Sequence, residues 1–217
     1  MQQDTEHNTL QALERGLPLA GVRVLEIGCG DGRVTAQYAH LPASITCVEP
    51  ESAPLLKARN VLSQARFACC SGMELPFAAD SFDVVLYTLS LHHHPDSEKA
   101  LEQAAACLCS GGLIGVLEPC SHSHIQEFCS IVRNENIDLH VVEAVLGRTD
   151  YSVAARFEFD TRWVFDDFVE LRDTTLNHYG KPHTPQIEAA MRDYLRDHAD
   201  DTPLVLRDTL RLTCLRV

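Results

Sequence analysis

Basic residues are scarce in this 217-residue sequence: 18 lysines and arginines stand against 31 aspartates and glutamates, a net charge of −13. The deficit is even, with seven basic against fourteen acidic residues in 1–120 and eleven against seventeen in 121–217. A chain of that sign is repelled by phosphate backbones and anionic lipid surfaces, so neither nucleic acid nor membrane is expected as a partner. Long apolar runs are missing too: stretches such as Phe82–Leu91 are far too short to cross a bilayer. The start, Met1–His7, is polar and acidic, with no apolar segment after it of the kind that marks a signal peptide. The expectation is a cytoplasmic protein. Internal repeats, low-complexity tracts and linkers are absent. Cysteine is plentiful, but the nine are odd in number and several sit inside strand-like or helix-like runs (Cys47, Cys107, Cys214), which predicts reduced thiols. Hydrophobic residues at 45% and charged residues at 23% match a globular chain that buries a core.

The first 120 residues alternate strand-like and helix-like segments. Strands are predicted at Val22–Ile27, Ser44–Glu49, Ala65–Cys69, Phe82–Leu89 and Gly112–Leu117, and helices at Arg33–His40, Ser52–Leu62 and Glu98–Cys109. Continuous apolar strands are covered on both faces, which implies a mostly parallel, doubly wound α/β sheet. Beyond Pro119 the pattern changes. His122–Arg133, Asp166–Tyr179 and Pro185–His198 read as helices, Asp138–Gly147 is ambiguous, and Phe157–Phe165 and Leu204–Val217 alternate as strands that pair antiparallel at the sheet edge. The expected organisation is one domain over 1–217, with a cofactor-binding core at 1–120, a variable lid at 121–201 and a closing strand at 202–217.

The strongest local signal is Val24-Leu25-Glu26-Ile27-Gly28-Cys29-Gly30-Asp31-Gly32, a strand that ends in three alternate glycines before a helix. Glycine there accepts positive φ and lets a ligand approach the main chain. The spacing is G-x-G-x-G, not the G-x-G-x-x-G of a dinucleotide site. Glu49 ends the second strand, where a carboxylate can accept both hydroxyls of an unsubstituted ribose.

These features, with Leu75-Pro76-Phe77 running through Ser81-Phe82-Asp83 to Leu91-His92-His93, and with Ser110-Gly111-Gly112 leading to Leu117-Glu118-Pro119, resemble the class I S-adenosylmethionine-dependent methyltransferases of the small-molecule group. The resemblance covers Val22 to Pro119. It implies a seven-stranded Rossmann-like sheet with an antiparallel C-terminal edge strand and a helical lid, and S-adenosyl-L-methionine as cofactor. It also implies that Glu26 and the backbone at Gly28 and Gly30 face the methionine part, and that Cys29, Gly32, Arg33 and Ser90 belong to the same cofactor site. Glu49 would hold the ribose, and Pro50, Ser71, Gly72 and Met73 the adenine. Ser71 stands where the family usually has an Asp, a weaker acceptor for the adenine amine. Residues 1–21 contain no tyrosine of the kind that covers the cofactor in many relatives.

Methyl transfer from a sulfonium is an in-line displacement, so positioning dominates. His92 and His93 follow the fourth strand at the ligand-binding edge, placed either as general bases or as packing residues. Cys120, His122 and His124 alternate, but they share one face only if extended, and no fourth ligand is marked; no metal is expected. Cys69-Cys70 leaves a thiol or metalloid acceptor open, whereas Cys107 and Cys109 read as buried small hydrophobes. His122, Tyr151 and Arg162 are candidates for the acceptor pocket, with an edge-strand ion pair as the other reading of Arg162. The reaction expected is methyl transfer to a small molecule by a monomer or homodimer. The alternative is a non-catalytic binding or sensor protein.

Overall fold

The computed structural model describes residues 1–217. In chain order its elements are β1 (Gln2–Gln3), α1 (Asn8–Gly16), β2 (Arg23–Ile27), α2 (Thr35–Tyr38), β3 (Ser44–Val48), α3 (Ser52–Val61), β4 (Arg66–Ala68) and β5 (Phe82–Thr88). There follow α4 (Ser97–Cys107), β6 (Leu108–Pro119), α5 (His124–Cys129), α6 (Asn136–Leu146), β7 (Ser152–Phe165), α7 (Phe168–His178), α8 (Pro185–Leu195) and β8 (Leu204–Arg216). The strands form one eight-stranded sheet in the order β1-β7-β8-β6-β5-β2-β3-β4. The run from β6 to β4 is parallel, as crossover helices between apolar strands require.

Three details depart from the sequence reading. β6 starts at Leu108 rather than Gly112, because Cys109–Gly112 are taken up opposite Asp83 alone, between the pairs Phe82 with Leu108 and Val84 with Leu113. The glycine turn is a bulge inside the strand. The C-terminal strand is not at the edge: β8 lies between β6 and β7, and Asp208–Leu210 and Leu212–Leu215 are buried. The N–H groups of Cys120 and Val217 donate to the carbonyls of Thr209 and Gly112, an order that makes β6 and β8 antiparallel. The outer edge is instead Gln2–Gln3, paired antiparallel with Val164 and Trp163, which raises the sheet to eight strands. Two polar residues carry no alternation from which a strand can be read.

Two compact units share the chain. The larger comprises Thr9–Glu118, Val141–Glu158 and Arg211–Val217; the smaller comprises Met1–Asn8, Pro119–His140 and Phe159–Leu210. The larger is built on Leu25, Ile27, Val85, Tyr87 and Ile114 of the sheet, covered by Ala100, Leu101 and Ala104 of α4. Val142, Val145 and Leu146 of α6 join the same core, so the ambiguous 138–147 segment is a helix and its second half belongs to this unit. The smaller unit packs Phe128, Phe165, Phe168, Leu171, Met191 and Leu204 together. The units therefore interleave along the chain more than a division at residues 120 and 201 implies.

Candidate active site

β2 runs into its glycine loop where the N–H groups of Gly28 and Cys29 both donate to the carbonyl of Val48, at 2.7 and 3.1 Å, which turns the chain across the end of β3. Gly28 has φ +75°, and a Cβ there would lie 2.5 Å from the Cβ of Ser90. Ser90 is buried and its hydroxyl donates to the carbonyl of Ile27 at 2.6 Å, so it clamps the loop from the β5 side. Gly30 has φ +56°, and no heavy atom lies within 4 Å of where its Cβ would stand. That combination leaves the main chain open to close approach.

Glu49 follows β3 at 8% exposure. Its Oε2 accepts the N–H of Gly30 and its Oε1 the N–H of Glu51, each at 3.0 Å. Each oxygen keeps a further lone pair for a hydroxyl donor. The carboxylate thus ties the glycine loop to the end of β3 and is oriented by the backbone.

Glu26 is arranged differently. It is fully buried, with Oε2 accepting from the hydroxyls of Thr35 and Tyr38 and Oε1 from Thr88. Burial pushes its carboxyl above the ordinary glutamate range, and the three hydroxyl hydrogen bonds work against that rise. Its observed partners are all protein hydroxyls, so its work is to fasten α2 and β5 beneath the loop rather than to face a ligand. Cys29 is buried as well, with its thiol donating to the Gly30 carbonyl at 3.8 Å, and the neighbouring Cys47 thiol has its pKa pushed up by Cys29 beside it and by burial. Gly32 is buried, while the Arg33 side chain is exposed.

Beyond Thr88 the chain bends through Leu89 at φ +58°, a conformation costly for a leucine, into the 3₁₀ turn Leu91–His93. His92 is buried there at 8% exposure. Its Nδ1 lies 2.5 Å from Oε2 of Glu118, and its backbone N–H donates to Oε1 at 3.2 Å. One carboxylate from the end of β6 therefore grips both the ring and the main chain of His92. His93 is exposed, with its ring centroid 3.9 Å from that of His92. Both residues lie in segments that carry the resemblance, but nothing in either segment marks the two as partners; the signal available was only that both follow or end neighbouring strands.

Residues 25–116 match the family of the methyltransferase domain. This chain carries the class I methyltransferase fold. The 27-O-demethylrifamycin SV methyltransferase of Amycolatopsis mediterranei is 38% identical over 109 residues, which are 46% of this chain and 40% of that protein. The chain spans about half the length of the curated relatives it matches. The YcgJ protein of Bacillus subtilis superposes with a TM-score of 0.66 over 97% of this chain and 98% of its own, at 17% identity. The N-methyltransferase NodS of Bradyrhizobium japonicum, solved with S-adenosyl-L-homocysteine, superposes with a TM-score of 0.56 over 97% and 85%, at 15% identity. At such identities the likeness is one of fold.

Pro50 and Ser71 are exposed, and the Ser71 hydroxyl accepts the N–H of Met73 at 3.1 Å, holding the turn at 71–74. Gly72 is pressed against Ile27 and His94, at 2.6 and 2.4 Å from a hypothetical Cβ, so a side chain there would displace the end of β2. Tyr151 packs on the core of the larger unit. His122 is exposed, and the N–H of Ser123 donates to the carbonyl of Cys120 at 2.9 Å, a turn that breaks the extended geometry needed to align Cys120, His122 and His124. Arg162 points outward and pairs with Glu6 at 3.5 Å, both well exposed, which assigns it to the surface of β7. All nine cysteines are free thiols. Cys107 and Cys129 are partly or fully shielded, and burial pushes the Cys129 thiol up to about 12. No helix is long and apolar enough to cross a membrane.

Proposed function

We propose that this protein transfers a methyl group from S-adenosylmethionine to a small-molecule acceptor. The observation that carries this reading is the Glu49 carboxylate, buried at the end of β3 and aimed by the N–H groups of Gly30 and Glu51. The donor set fits the cofactor: a shielded carboxylate for two ribose hydroxyls, beside a positive-φ glycine loop that admits a ligand to the main chain. When bound, S-adenosylmethionine supplies an electrophilic sulfonium methyl group. Glu49 holds the ribose, and the backbone at Gly28 and Gly30, with Cys29, Gly32 and Arg33, borders the methionine part. Glu26 and Ser90 brace that loop from beneath and from the side. Pro50, Ser71, Gly72 and Met73 flank the adenine, with Ser71 a weaker acceptor for its amine than a carboxylate. His92 is the general base of the acceptor site, and His93 lies beside it.

In this proposal the larger unit holds the cofactor, and Tyr151 of the same unit contributes to acceptor choice. The protein works in the cytoplasm as a monomer or homodimer, and its charge of −13 keeps it from nucleic acid and anionic membranes. Calorimetric titration with S-adenosylhomocysteine, using NAD as the control, tests the reading. Micromolar binding of the former alone is expected, and equal or preferential binding of NAD would overturn it. With an acceptor in hand, His92→Asn is expected to lower kcat by roughly a hundredfold or more while leaving S-adenosylhomocysteine affinity intact.

A further inference from the structure

We propose that β7 is a dimer edge: its stretch Arg156-Phe157-Glu158 pairs antiparallel with the same stretch of a second copy of this chain, about a two-fold axis at Phe157. β7 is 14 residues long, yet its outer neighbour in the sheet, β1, is a two-residue strand that meets only Trp163 and Val164. Asp4 continues that contact by donating its N–H to the carbonyl of Arg162 at 2.9 Å, and Asn8 Nδ2 donates to the carbonyl of Asp160 at 3.0 Å. Backbone groups of alternate residues point to the same side of a strand, so Arg162 and Asp160 mark the outward set, and Glu158 and Arg156 continue it. Along Ser152–Glu158 no strand of the sheet lies on that side. A long edge of this kind is a template for another strand.

The charges on this edge select a second copy as the occupant. Arg156 pairs with Glu143 of α6, Glu143 with Arg211 of β8, and Arg211 with Glu158, so charges of alternating sign lead from one edge residue to the other. All four residues belong to the larger unit, and their side chains keep between 24% and 41% of their surface exposed. With the axis at Phe157, Arg156 lies directly opposite Glu158 of the second copy, and Glu158 opposite its Arg156. The two runs of charge then close into one ring of alternating sign. Moving the axis to Arg156 or to Glu158 sets like charges face to face, which destabilises a cross-strand pair. Moving it to Ala155 sets Ala154 opposite Arg156 and pairs neither charge. In the favoured register the outward residues Arg156 and Glu158 exchange both backbone hydrogen bonds with their opposites, while Phe157 meets its own copy in the non-hydrogen-bonded position, where side chains approach most closely. A net charge of −13 repels two copies at longer range, so the association is reversible and depends on concentration.

The test uses the full chain. Sedimentation velocity over roughly a hundredfold range of protein concentration is expected to show monomer giving way to dimer. Over the same range, amide hydrogen exchange at Arg156 and Glu158 is expected to slow by roughly tenfold or more, while that at Phe157, whose N–H faces β8, stays constant. Arg156→Glu and Glu158→Arg are each expected to weaken dimerisation by roughly tenfold or more. An equal mixture of the two variants is expected to restore it, because the two glutamates of one then face the two arginines of the other; a variant that has failed to fold does not recover on mixing. A wild type that stays monomeric, a dimer without protection at Arg156 and Glu158, or a mixture of normally melting variants that pairs no better than either alone would overturn the proposal. Should a variant not fold, sedimentation and exchange of the wild type decide the matter by themselves.

Discussion

The two units treat their buried polar groups differently. In the larger, the Glu26 carboxylate is met by three hydroxyls, Glu49 by two backbone N–H groups and His92 by Glu118. In the smaller, Asp208 is similarly met by Ser123 and Trp163, at 2.8 and 3.1 Å, yet Gln126 Nε2 and Thr161 Oγ1 are buried without a partner. Of the five buried side-chain atoms lacking a hydrogen bond, Gln3, Gln126, Asn136 and Thr161 fall in the smaller unit and only Gln37 in the larger. A buried polar group left unpaired costs about 1–3 kcal/mol. The larger unit is therefore the one whose buried polar groups are more fully paired, and the smaller has room to be improved by substitution.

That contrast can be broken at several points. Glu26→Ala strands three buried hydroxyls at once and is expected to cost about 4 kcal/mol, measured by urea unfolding. A cost under about 1 kcal/mol would show that the hydroxyls find other partners. Glu49→Ala is expected to weaken S-adenosylhomocysteine binding by about 2–3 kcal/mol with little loss of stability, read by calorimetry.

Two carboxylates give opposite pH signatures. Burial holds Glu26 above its ordinary pKa, so the folded state binds more protons than the unfolded one, and stability falls as pH rises out of the ordinary glutamate range. Glu26→Gln is expected to remove that slope. Asp83 accepts the backbone N–H and two guanidinium N–H groups of Arg23 at 2.8–3.0 Å, which holds its carboxyl below the usual range. Its contribution is present above the ordinary aspartate pKa and is lost as pH falls below it. Asp83→Asn is expected to be less stable than the wild type at pH 7 and to converge with it in acid, as followed by melting temperature against pH. The smallest effects belong to the smaller unit. Thr161→Val removes a hydroxyl without a partner and is expected to be neutral or to raise the melting temperature, and Arg162→Ala to change stability by less than about 0.5 kcal/mol because its pair with Glu6 is exposed.

Legibility followed sequence distance. The strands of residues 22–89, the helices between them and the glycine loop were readable because apolar runs and turn residues act locally, and Gly28 and Gly30 do adopt the positive φ that their spacing suggested. Glu26 stood in the right motif but its cage joins residues 9, 12 and 62 positions away, so its inward orientation had no local signature. The Glu118–His92 pair spans 26 positions, and Ser123–Asp208 spans 85. Arg162 read as an edge-strand ion pair more readily than as a ligand contact, and its partner became identifiable only when Gln2–Gln3 brought the N-terminal segment alongside β7.

By itself, then, the sequence determined an acidic α/β protein with a glycine loop after its first parallel strand and a carboxylate at the next strand end, since periodicity, turn chemistry and charge are properties of neighbouring residues. Only the tertiary structure decided that Glu26 is a brace, that β8 lies inside the sheet, and that His92 has a carboxylate behind its ring. Each of those depends on which distant strand ends meet, and that is set by packing of the whole sheet rather than by any local preference.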